Sequence, residues 1–151
     1  MINKMKYLII IGCFIFSPIL YSQCNDGFTF FADVDIPSNV QSFGSNCFYN
    51  GDIAVLNSLI SLNDLSYESE LEAGQQTWNE DRLTIWVATY VPSGINGLTE
   101  RIDQLPENIG QLSELTSLYL EWHNLTQLPE SISNLTNLVN LAISSNYLES
   151  L

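Results

Sequence analysis

The sequence is poor in positive charge. Its 151 residues hold four lysines and arginines against 17 aspartates and glutamates, with a single histidine. Lys4 and Lys6 stand at the extreme N-terminus, so from residue 23 onward Arg82 and Arg101 face all 17 acidic residues, a charge of −15. A surface of that sign repels phosphate backbones and anionic headgroups. This argues against nucleic acid and against electrostatic docking on a membrane, and leaves cations and basic or polar protein surfaces as partners.

Motifs that carry chemistry are missing as well. The chain has no glycine-rich phosphate loop, no H-E-x-x-H and no G-x-S-x-G. His123 has no second histidine and no nearby cysteine with which to share a metal. Asp33-Val34-Asp35 opens like a calcium loop, but Pro37 stands where the next ligand belongs and no glycine follows, so the EF-hand pattern fails. An irregular calcium site stays open there. With no nucleophile or base held by partners, the expectation is a binding surface, with no enzyme activity, cofactor or metal centre.

What is present begins with Lys4 and Lys6 and an apolar run from Tyr7 to Tyr21, broken only by Ser17 and Pro18. A basic start and a run too short to span a bilayer predict a cleaved secretory signal over 1–22, with Gln23 or Cys24 first in the mature chain. An uncleaved anchor helix is the alternative. Cys13 falls inside the signal, so the exported chain keeps two cysteines. An even count in an oxidising compartment predicts a Cys24–Cys47 disulfide and a secreted or cell-surface protein. Lipidation of Cys13, which follows Ile10-Ile11-Gly12, or of Cys24 would instead tether the chain to a membrane.

Sliding the sequence against itself reveals a repeat. Leu115, Leu118, Leu120, Leu125 and Leu128 recur 23 residues later as Leu138, Leu141, Ile143, Leu148 and Leu151. Upstream, Ile102, Leu105, Pro106, Glu107, Ile109 and Leu112 fall on Leu125, Leu128, Pro129, Glu130, Ile132 and Leu135. Leu118 and Leu120, two apart, suit one face of a short strand. Pro129 and the wider spacing after Leu128 suit a turn and a short helical or 3₁₀ return. Such units hold too little core to stand alone and become buried by stacking.

This pattern resembles leucine-rich repeats of the 23-residue L-P-x-x-I-x-x-L class, over Ile102 to Leu151. The resemblance implies an α/β solenoid, with a short parallel sheet on the concave face and helical or 3₁₀ turns on the convex face. It also implies an N-terminal cap. The cap is expected over 23–77, with the disulfide and a helix near 53–62. There Asn50-Gly51-Asp52 reads as a turn and N-cap, followed by Ile53, Leu56 and Ile60 on one face and Val55, Leu59 and Leu62 beside it. Glu68, Glu70 and Glu72 read as a solvated acidic stretch.

Repeats are expected over 78–151. Trp78-Asn79 precedes a strand from Arg82 to Val91, rich in β-branched and aromatic residues. Caps of this family often carry cysteines beside the tryptophan, whereas here both precede the helix. Pro92 to Gly97 reads as a loop inserted in the first coil. The last coil stops short at Leu151, so Leu141, Ile143 and Leu148 are expected to lack a neighbour on one side.

His123 occupies the ninth repeat position, where the pattern prefers an Asn that satisfies backbone groups. It reads as a structural substitute, or as a displaced ladder with Asn124 taking over. Asn124-Leu125-Thr126 and Asn134-Leu135-Thr136 are glycosylation sequons in form; Asn is a recurring residue of this repeat, and they read as coincidence.

The resemblance implies protein recognition, or glycan binding, through outward positions of the concave sheet. These are Ser117, Tyr119, Glu121 and Trp122, followed by Asn140, Ala142, Ser144 and Ser145. Tyr and Trp beside a carboxylate have hot-spot character, although Trp122 folded over a neighbouring coil as structure is the competing reading. A purely architectural segment of a larger surface protein is the second class of function left open.

Overall fold

The computed structural model describes residues 24–94 and 96–149, so the expected signal segment and Leu151 lie outside the described residues. The fold is mixed α/β. A two-stranded sheet pairs β1 (Phe28–Phe30) with β3 (Cys47–Tyr49), antiparallel. A five-stranded sheet runs in the order β2 (Val40–Phe43), β4 (Gln75–Asn79), β5 (Arg82–Val87), β6 (Ser117–Tyr119), β7 (Asn140–Ala142). One helix, α1 (Asn50–Leu62), follows β3.

The helix buries Ile53, Val55, Leu56 and Leu59, the stripe its spacing predicts. It begins a turn earlier than the sequence suggests. Tyr49, in extended backbone, is the N-cap, and Asn50-Gly51-Asp52 form the first turn instead of preceding it. The reason is Asp52. Its side chain is fully buried, accepts from Arg82 Nε at 2.9 Å and Nη2 at 3.0 Å, and takes the Leu83 backbone N–H at 2.9 Å. The first turn of α1 is thus bolted to the start of β5. At the other end, Asn63 Oδ1 accepts from the backbone N–H groups of Asp103 and Gln104.

The expected capping region contains four short strands where the sequence suggested only a helix. The Cys24–Cys47 disulfide is formed and ties the chain ahead of β1 to β3. β2 lies parallel to β4 at the sheet edge. The acidic stretch is more than exposure: Glu72 accepts from the backbone of Glu68 and Ser69, and Ser69 Oγ accepts from Leu71 N–H, a capping box on a 3₁₀ turn.

β4 and β5 form a hairpin through Glu80 and Asp81, both at positive φ (49° and 66°), the backbone of a two-residue turn that matches strand twist. Opposite Thr77 and Trp78, β5 carries one extra residue, Thr84. This bulge lets Leu83 and Trp86, three apart, both reach the core beside Trp78, all fully buried. Each indole N–H finds an acceptor, Gln76 Oε1 for Trp78 and the Ala73 carbonyl for Trp86. The strand ends at Val87, short of the expected Val91. After it, Tyr90 bridges to Leu98: around the Pro92 to Gly97 loop, Val91 N–H donates to the Leu98 carbonyl and Leu98 N–H to the Thr89 carbonyl. Gly97 is required there, because a Cβ would stand 2.3 Å from the Thr89 carbonyl oxygen.

Beyond the loop the chain follows the same path twice. β5, β6 and β7 are parallel, with Trp86, Leu118 and Leu141 in register on the core side. Pro106 and Pro129 each accept from the residue three further on, Ile109 and Ile132, opening 3₁₀ turns over 109–111 and 130–134. Leu105, Ile109, Leu112, Leu115, Leu118, Leu120 and Leu125 are all buried between these layers. Leu141, at the position of Leu118, is 42% exposed, since β7 is the sheet edge among the described residues.

Candidate functional site on the open sheet face

Directly paired strand residues share a face, so the register defines what the sheet presents away from the core. One row crosses all five strands: Gln41, Thr77, Ile85, Ser117 and Asn140. A second comprises Gln75, Val87, Tyr119 and Ala142. None of these nine residues carries a charge, in a part of the chain whose net charge is −15. Amides and hydroxyls alternate with an apolar strip formed by Ile85, Val87, Tyr119 and Ala142.

The expected site residues do not all sit as predicted. Ser117 is buried, at 6% exposure, whereas its repeat position predicted an outward, solvated side chain. It does point to the open face, but it is small and lies between Ile85 and the larger Asn140, whose Nδ2 donates to Ser117 Oγ at 3.0 Å. Tyr119 is half-buried and Asn140 exposed. Glu121 accepts from Ser144 Oγ at 2.9 Å across the same 23-residue offset.

Trp122 is 57% exposed and does not fold down as core. Its backbone is left-handed, at φ +66°, and Ser145 in the equivalent position has φ +58°. A bulky residue in that region costs about 1–2 kcal/mol relative to right-handed backbone. The Trp122 carbonyl accepts from Arg101 Nη1, and the Arg101 guanidinium lies over the Tyr90 ring, 4.2 Å from its centroid.

His123, next in the chain, is fully buried. Ile102 N–H donates to Nδ1 at 3.2 Å, and Nε2 contacts the Ala88 carbonyl. The equivalent residue in the following segment is Asn146. It takes Leu125 N–H at 3.2 Å and donates to the carbonyls of Leu120 and Ile143. His123 therefore does the work of that asparagine, and Asn124 does not replace it; Asn124 donates to Asp103 instead. Burial pushes the His123 ring below its ordinary pKa, opposed by the Ala88 contact and reinforced by the Arg101 charge.

Five residues were missed from sequence, in three groups. Ile85 and Val87 belong to the apolar strip, and their face depends on the bulge at Thr84, which no local pattern signals. Arg101 reaches the Trp122 carbonyl and the Tyr90 ring only through the loop that returns the chain to the end of β5. Asp52 was the third, hidden among the acidic residues until its pairing with Arg82 is seen. Hydrogen bonding to Asp52 raises the Arg82 pKa above its usual range, so this guanidinium stays charged.

Elsewhere, surface depressions are acidic: one is lined by Glu107, Gln127 and Glu130, another by Phe31, Asp35, Glu68 and Glu72. Among the described residues, no group of three or more His, Cys, Asp or Glu is placed to hold a metal ion. Asp33 and Asp35 sit in a 3₁₀ turn, with Asp33 accepting from Asn46 Nδ2. Compared with known protein families, curated proteins and solved structures, the chain matches none.

Proposed function

We propose that the chain is an extracellular leucine-rich-repeat protein whose open sheet face binds another protein, and that it performs no chemistry of its own. The repeat reading is supported by the agreement of two independent periods. The 23-residue offset of the leucines is also the offset at which β6 pairs β7 and at which 3₁₀ turns follow Leu-Pro. The disulfide fits an oxidising compartment.

The observation that carries the binding reading is the pair of uncharged rows on an otherwise acidic molecule. Acidic flanks attract a basic partner at long range and do not need to be desolvated at the contact. At the centre, Tyr119 and Trp122 supply apolar area with the strip of Ile85 and Val87, while Glu121 sets orientation. The partner is accordingly a protein with a polar or basic surface. A glycan is the second reading, favoured by an exposed Trp122 beside amide and hydroxyl side chains.

The test is the double replacement Tyr119→Ala/Trp122→Ala. Affinity for the partner should fall by about 2 kcal/mol, roughly thirtyfold, with the fold intact by circular dichroism. Unchanged affinity would move the site elsewhere, with the Pro92 to Gly97 loop as the next candidate.

A further inference from the structure

His123 stands beside the proposed binding surface without belonging to it. Its ring joins three segments. Ile102 N–H can only donate, so Nδ1 must accept and carry no proton; the Ala88 carbonyl can only accept, so Nε2 must donate. Both bonds are satisfied by one neutral tautomer and by no other state.

A proton added at Nδ1 would point at the Ile102 N–H, donor against donor, in a site with no exposure to water. The charges around the ring make that worse. Arg101, from the segment preceding Ile102, acts on it as a like charge. Tyr90, from the chain after β5, stands with its ring centroid 6.3 Å away. Glu121, two residues before the histidine, is already engaged with Ser144, and Asp103, next to Ile102, with Asn124. The protonated ring must therefore leave its seat, and Trp122, bonded to it through the chain and held in left-handed backbone, moves with it.

We propose that His123 is the positioning residue of the Trp122 turn, holding Trp122 on the open face while the ring is neutral and releasing it when the ring is protonated. The proposal rests on the reading of Trp122 as part of the binding surface. Asn146 makes the same backbone bonds in the next segment without a titratable group. The device is thus confined to the one segment that carries the exposed tryptophan. The sign is fixed by the direction of the shift. A ring held below 6.5 when folded contributes stability above about pH 6.5, and that contribution is lost as the pH falls through the folded value.

The chain has one histidine and three tryptophans, of which Trp78 and Trp86 are fully buried and Trp122 is exposed. Both sides of the coupling can therefore be read in the full chain, without a partner, by NMR of the imidazole and of the three indole N–H groups between about pH 7.5 and 5. The Trp122 signal should shift with the same midpoint as the His123 ring, while Trp78 and Trp86 hold still. His123→Asn should abolish that shift and keep the neutral-pH position of Trp122. A Trp122 signal that stays fixed while the ring titrates, an equal shift in His123→Asn, or all three indoles moving together would overturn the proposal. Should His123→Asn fail to fold, coincident midpoints in the unmodified chain support it, and midpoints about one pH unit apart or more overturn it. Failure here leaves the sheet face standing as a binding surface, since no outcome depends on a partner.

Discussion

Replacing Asp52 by alanine is expected to destabilise the fold by about 3–4 kcal/mol, although Asp52 is not one of the residues of the proposed binding face. The side chain is fully buried and accepts three hydrogen bonds, two from Arg82 and one from the Leu83 backbone. Truncation leaves the Leu83 N–H buried without a partner, which costs about 1–3 kcal/mol alone. It also strips Arg82 of its main counter-charge. What remains for Arg82 is the Tyr49 ring at 4.3 Å, Ser113 Oγ, and Glu114 at 3.9 Å. Arg82 is 21% exposed, so water offsets part of the loss, and the estimate falls at the lower part of the range for a broken buried pair.

Urea unfolding followed by tryptophan fluorescence reads the effect as a lower midpoint at constant slope, since Trp78 and Trp86 are core residues. Arg82→Ala should cost a similar amount, because it abandons a buried carboxylate. The double variant should cost at least about 1 kcal/mol less than the sum of the two. A cost for Asp52→Ala below about 1 kcal/mol, or strict additivity, would refute the account of Asp52 as the bolt between α1 and β5.

Leu118→Ala should cost about 3–5 kcal/mol and Leu141→Ala less than half as much, because the first is fully buried and the second 42% exposed; matched urea melts decide this. Trp122→Asn should leave stability unchanged or raise it by up to about 1 kcal/mol, since asparagine tolerates left-handed backbone, while partner affinity falls. Thermal melts and binding isotherms on the same preparation separate the two effects. Reducing the Cys24–Cys47 disulfide, sequence separation 23, should cost about 3 kcal/mol, checked by urea melts with and without reductant.

The elements legible in the sequence are those under repeated or local constraint. The leucines of two successive segments had to meet in register, and they do, at Leu118 and Leu141. The stripe of α1 and the cysteine pair were readable for the same reason. What escaped depends on distance or on a single irregular residue. β1, β2 and β3 are three or four residues long and gain their pairing from segments elsewhere, so no periodicity marks them. Asp52 and Arg82 are 30 residues apart, and nothing local distinguishes Asp52 from the other acidic residues. The candidate face was half visible. Tyr119, Glu121, Trp122 and Asn140 follow from repeat position, but Ser117 sinks between larger neighbours. Ile85 and Val87 could be placed only after the Thr84 bulge fixed their face.

The central claim is that the two uncharged rows of the five-stranded sheet are where a partner docks. It is tested most directly by placing a photo-reactive amino acid at Tyr119, and separately at Glu107 on the 3₁₀ side, and irradiating the chain in a mixture of extracellular proteins. The account predicts a discrete protein adduct from position 119, lost in the presence of excess unmodified chain, and none from position 107. Adducts of equal yield from both positions, or from position 107 alone, would contradict it.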